Sequence, residues 1–131
     1  MEFSHSEIKN LLIKFFPNLK EKEINSFLSL SKYQFAQNKD IILNSGRTDK
    51  NLILILKGVA RAYSIAENGE ELNDFIRAEG KVIGDSRVFG NDNQILIIEA
   101  IGEMHYLKFK INKLEALGYD NPEIMKFYLN I

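Results

Sequence analysis

Cysteine is absent from the 131 residues, which removes a disulfide scaffold, a cysteine nucleophile and every thiolate-held zinc or iron–sulfur site. Histidine is scarce: His5 and His105 are the only two, too few for a histidine-ligated metal centre. Long apolar runs are missing as well, since no window approaches the roughly 18 uninterrupted apolar residues of a membrane-spanning helix. The opening Met1-Glu2-Phe3-Ser4-His5 lacks the basic-then-apolar order of an export leader, so the expectation is a cytoplasmic protein. Charge of one sign is not in excess either, with 17 Lys and Arg against 18 Asp and Glu and a net charge of −1. Residues 31–60 carry five positive and two negative side chains, a mild bias rather than the clustered basic stripe that duplex phosphates require. Metalloenzymes and direct nucleic-acid binders are therefore disfavoured.

What remains is the make-up of a single soluble domain, long enough to bury one core and too short for two. Residues 1–30 read as two short helices. Ile8, Leu11, Leu12 and Phe15 recur at helical spacing, Ser4 and Glu7 form an S-x-x-E start, and Pro17 stops the first helix. Ile24, Phe27 and Leu28 form the stripe of the second.

From Ser31 the period changes to two. Tyr33, Phe35, Ile41 and Leu43 alternate with polar residues and turn formers, and strands are expected at Asn51–Gly58 and Val59–Ile65. Asn68-Gly69 supplies a hairpin turn. Further strands are expected near Glu71–Arg77, Gln94–Ala100 and Met104–Phe109, with a turn at Ala78-Glu79-Gly80. Residues 31–109 thus predict a mainly β fold, an antiparallel β-roll of about eight strands; a parallel sheet is disfavoured because no crossover helix separates these strands. Residues 110–131 predict C-terminal helices: Ile111–Leu117, a break at Gly118, then a helix capped by Asn121-Pro122-Glu123 with the stripe Ile124, Phe127, Tyr128 and Ile131.

The run Leu56-Lys57-Gly58-Val59-Ala60-Arg61-Ala62-Tyr63, the Asn68-Gly69 hairpin and Glu79-Gly80-Lys81-Val82-Ile83-Gly84-Asp85 come in an order that resembles the cyclic-nucleotide-binding domain of Crp/Fnr-type transcription regulators. Ile41-Ile42-Leu43-Asn44-Ser45-Gly46 and Ile98-Glu99-Ala100 extend the resemblance over nearly the whole chain. It implies a jelly-roll-like β-roll and places a candidate ligand site at Gly84, Asp85, Ser86 and Arg87, with Gln94 and Ile95 opening the next strand. In binding members the glycine allows close backbone approach, a short helix offers N–H groups to the cyclic phosphate, and an acidic residue accepts from the ribose. Gly84 matches that glycine, Asp85 stands in place of the usual glutamate, and Ser86 offers its backbone N–H.

The departure falls where binding members carry the phosphate-neutralising arginine, because Gln94-Ile95-Leu96 stands there instead. A buried phosphodiester without a paired cation costs several kcal/mol, roughly, so cyclic AMP or GMP is expected to bind weakly or not at all unless Arg87 turns inward. Asp85 acting only as a helix cap, and Arg61 and Tyr63 as sheet-surface residues, are the structural alternatives. His105 reads as an ordinary hydrogen-bonded strand residue.

No enzyme reading survives. The carboxylates show no supported pairing, no serine has a histidine base, and Gly80–Asp85 lacks P-loop spacing. A cupin enzyme would share the β-roll but need a His and carboxylate cluster. Two non-enzymatic functions follow: a regulatory sensor, ligand-binding or degenerate, that dimerises through Ile124, Phe127, Tyr128 and Ile131; or a stand-alone interaction or ligand-carrying β-roll with no transcriptional role. No cofactor is implied beyond a doubtful cyclic nucleotide. A helix-turn-helix domain is not expected within these residues, and neither is contact with DNA or a membrane.

Overall fold

The computed structural model describes residues 2–44, 51–84, 95–119 and Pro122. Two helices lead, α1 (His5–Phe15) and α2 (Glu21–Leu30). Ser4 starts α1 as expected: its hydroxyl accepts from the Glu7 N–H at 3.1 Å, and the Glu7 carboxylate accepts from the Ser4 N–H at 3.2 Å. Both bonds satisfy donors that a helix leaves unpaired in its first turn. At α2 the Lys20 N–H donates to Glu23 at 2.9 Å, serving the same purpose. Lys9 of α1 and Glu21 of α2 pair at 2.9 Å, and that bond holds the Glu21 carboxyl below its ordinary range.

Six strands follow among the described residues: β1 (Ser31–Ala36), β2 (Ile41–Asn44), β3 (Asn51–Ile65), β4 (Glu71–Arg77), β5 (Val82–Gly84) and β6 (Ile95–Lys110), then α3 (Ile111–Tyr119). Every pairing is antiparallel, in the order β1-β6-β3-β4, with β2 on β6 and β5 on β3. The result is an open antiparallel β-roll flanked by helices, the fold class expected from the period-two pattern.

Two pairs of expected strands prove to be single strands. Asn51–Gly58 and Val59–Ile65 are the halves of the 15-residue β3, and the two strands expected at Gln94–Ala100 and Met104–Phe109 are joined, from Ile95 onward, in the 16-residue β6. The glycine between the halves of β3 bends the strand instead of ending it: Gly58 has φ +103°, and the register with β6 shifts on either side of Lys57. Gly102, at φ +74°, does the same in β6. The β1–β2 turn clamps this second bend, because Asn38 accepts from the Gly102 N–H at 2.8 Å and Lys39 and Asp40 bond the Ala100 backbone.

Gly118 is a second correction. The helix runs through it to Tyr119, and Gly118 is buried. A missing side chain at a packed position permits close approach, at a cost in helix propensity of about 1 kcal/mol. The helix expected from Asn121 lies outside the described residues, Pro122 apart.

The continuous apolar run in β3 has a simple origin, for both faces of that strand are covered. Leu52, Leu54 and Leu56 join Ile8, Leu12, Ile24, Phe27, Leu107, Phe109, Ile111 and Leu114 in a core beneath the helices. Ile53 and Ile55 point the other way, into the roll, with Ile42, Leu43, Ile83, Ile98, Met104 and Tyr106. Alternation of side chains across a strand therefore builds two cores from one segment. The Asn68-Gly69 turn forms as read, with Gly69 at φ +85° and Asn68 accepting from the Glu70 N–H at 3.0 Å.

Candidate ligand-binding chamber

The interior of the roll is built from alternate residues of β3 and β6. Ala60, Ala62 and Ser64 of β3 face inward, as do Leu96, Ile98 and Ala100 of β6, and Ala36 of β1 joins them. Ala60 pairs with Ala100, two small side chains meeting across the ladder, while Ala62 faces the larger Ile98. Polar groups inside are few and engaged. The Ser64 hydroxyl donates to the Leu72 carbonyl at 3.0 Å, and the Tyr106 hydroxyl donates to the Gln34 side chain at 3.1 Å. Burial first, and the negative charge of Asp40 second, push the Tyr106 hydroxyl above the ordinary tyrosine range.

Arg61 and Tyr63 sit on the opposite face of β3, half-buried, as the surface alternative required. The Arg61 guanidinium pairs with Glu71 at 2.8 Å and lies 4.2 Å from the centre of the Tyr63 ring. Arg77 likewise covers Phe75 at 4.4 Å. Among the described residues, no cation faces the chamber as part of its buried lining.

Of the expected site residues, Gly84 ends β5 and pairs with Leu52, while Ile95 opens β6 and pairs with Ile65. The two are thus held at opposite ends of β3, on either side of its bend. Ile95 is 38% exposed and its neighbour Leu96 is buried, so of the three positions that replace the arginine the two described are one surface and one core side chain. Asp85, Ser86, Arg87 and Gln94 lie outside the described residues, as do Ile124, Phe127, Tyr128 and Ile131. Chemically, the described interior of the roll is an apolar packed cluster, and it contributes no charge to hold an anion. No group of three or more metal-ligating side chains occurs among the described residues.

His105 is hydrogen-bonded as read, but its partners were not foreseen. It faces the helix side of β6 and bonds Tyr33 at 2.7 Å and Glu103 at 2.8 Å. No sequence signal joins these residues, because Tyr33 and His105 stand 72 positions apart.

No family profile and no curated protein matches the chain. Solved structures do. The sensor domain of the transcriptional regulator DNR from Pseudomonas aeruginosa superposes with a TM-score of 0.73 at 14% identity, covering 93% of this chain and 83% of that one. A mutant of CooA from Carboxydothermus hydrogenoformans gives a TM-score of 0.66 at 18% identity over 95% of this chain and 76% of the other. For the catabolite activator protein of Thermus thermophilus the values are 0.67 and 18%, over 88% of this chain and 54% of that one. The chain therefore has the β-roll fold that the Crp/Fnr resemblance implied. At these identities, what is shared is the fold.

Proposed function

We propose that this chain is a non-enzymatic sensor domain of Crp/Fnr type that serves transcription regulation, with little or no affinity for cyclic nucleotides. The observation that carries the reading is the interior of the roll, a cluster of alanines and aliphatic side chains with no buried cation among the described residues; the family resemblance puts Ile95 and Leu96 where binding members neutralise the phosphate. An apolar or uncharged effector fits such a lining, whereas a phosphodiester would be buried there unpaired.

Calorimetric titration with cyclic AMP and cyclic GMP tests this, and no saturable heat is expected at micromolar concentrations. Low-micromolar affinity for either nucleotide would overturn the assignment. Arg87→Ala would then identify the holding group: loss of binding names Arg87 as the replacement cation, and retained binding names the backbone N–H groups after Gly84.

The sensor reading carries a second part, a homodimer formed through Ile124, Phe127, Tyr128 and Ile131. An isolated helix of about ten residues is marginal in water, so an apolar stripe on it needs a surface to pack against. Light scattering at tens of micromolar is expected to give the mass of a dimer, and Phe127→Asp to give a folded monomer. A wild-type monomer under those conditions rejects the dimer.

A further inference from the structure

The helix-side face of β6 carries a buried histidine that the chamber does not use. His105 is 3% exposed, and the rings of Phe3 and Phe35 stack on it with centroids at 4.6 Å and 5.9 Å. Nε2 lies 2.8 Å from a Glu103 carboxylate oxygen, and Nδ1 lies 2.7 Å from the Tyr33 hydroxyl. That hydroxyl also accepts from the backbone N–H of Phe3 at 2.9 Å. The chain thus runs without a break from the N-terminal segment, through β1, to the centre of the sheet.

Donor and acceptor requirements fix the protons along this chain. An ionised carboxylate can only accept, so Nε2 carries the hydrogen; the His105 bond first, and the positive charge of the chain's N-terminus second, hold the Glu103 carboxyl below its ordinary range. In the neutral ring Nδ1 is then an acceptor, and Tyr33 must donate to it. The Tyr33 oxygen is left with its lone pairs to receive Phe3 N–H. Every bond in the neutral state points the same way: Phe3 to Tyr33, Tyr33 to His105, His105 to Glu103.

We propose that this relay is a proton-controlled latch that fastens the N-terminal segment to the sheet while His105 is neutral. A proton added to the ring goes to Nδ1, which becomes a donor. The bond to Tyr33 must reverse, two donors converge on one hydroxyl oxygen, and the hydroxyl proton loses its acceptor. Of the two donors the imidazolium is charged and the stronger, so the neutral Phe3 amide is the one displaced. The titratable and charged groups around the ring are Glu103 on its own strand, Tyr33 on β1, Lys57 as its register partner on β3, Glu2 beside Phe3, and the N-terminal ammonium, which acts on Glu103 rather than on the ring. Glu103 is solvent-accessible and keeps its acceptor role in both states, and the Phe3 ring can stack on either form of the imidazole. The amide, not the ring, therefore reads the switch.

Nuclear magnetic resonance on the whole chain tests the latch. At pH 8 the imidazole nitrogens should report the Nε2–H tautomer, and the Phe3 amide should exchange about tenfold more slowly than in an unstructured peptide, as one net hydrogen bond allows. On acidification that protection should fall in step with the change in the His105 ring signals. In Tyr33→Phe the Phe3 amide should be unprotected throughout, while the β6 amides stay protected and show that the sheet is intact. An Nδ1–H tautomer at pH 8, Phe3 protection that ignores the His105 titration, or a Phe3 amide still protected in Tyr33→Phe would each overturn the proposal.

Discussion

Gly58→Ala is expected to unfold this protein at a temperature at least about 10 °C lower than wild type, a loss of roughly 3 kcal/mol or more for a domain of this size. Two costs combine. At φ +103° an L side chain is strained by about 1–2 kcal/mol. A Cβ built on Gly58 would also stand 2.6 Å from the Glu103 carbonyl oxygen and 3.0 Å from the Met104 Cα, both backbone atoms of β6. Neither can move aside without opening the ladder at the bend. Gly102→Ala provides the control, because its φ of +74° carries the strain while no atom lies within 4 Å of the added carbon. It should cost about 1 kcal/mol. Equal melting temperatures for the two variants would show that close approach at Gly58 does not govern the bend.

Phe27→Ala is expected to have an effect of similar size by a different route. Phe27 is fully buried beneath the helices, and its ring meets Phe109 edge-to-face at 4.5 Å. Removing a buried phenyl group typically costs about 3–5 kcal/mol, from lost transfer energy and from the cavity left behind. The aromatic pair adds about 0.5–1.5 kcal/mol of specific geometry to that loss. Ile13→Ala, on the same helical layer but 48% exposed, should change stability by less than about 0.5 kcal/mol. Denaturant unfolding measures both. If Phe27→Ala costs under about 1 kcal/mol, α2 is not docked on β6 as described.

Much of this architecture was legible because its determinants are local. Ser4 and Glu7 lie three residues apart and cap a helix by themselves, and Asn68-Gly69 makes its turn with little help from elsewhere. Leu52 to Leu56 announced burial on both faces through an unbroken apolar run. What escaped depended on partners far along the chain. Whether Gly58 ends a strand or bends one is decided by Glu103 and Met104, which nothing near Gly58 reveals. Gly118 reads as a breaker from propensity alone, yet packing keeps it helical. At the candidate site, the reading put Ile95 within a strand, as found, and the alternation of Ala60 and Ala62 with Arg61 and Tyr63 sorted inner from outer side chains; the short strand β5 that Gly84 closes was not among those expected, because three residues are too few to show a period. The Phe3–Tyr33–His105–Glu103 relay left no trace in the sequence, since its members come from three separated segments.

The pairing of β1 and β2 has a consequence for the way the molecule is made. Both strands take their described partners from β6, with Ser31 opposite Phe109 and Ile41 opposite Glu99. During synthesis they therefore emerge long before the strand that completes them. Until residues 95–110 leave the ribosome, the first two strands and one side of β3 expose unpaired backbone groups beside apolar side chains. Closure waits on contacts between distant parts of the chain, the kind that makes folding slow. A pause in translation just before Ile95 would prolong the interval in which the nascent chain is most open to chaperones and to aggregation.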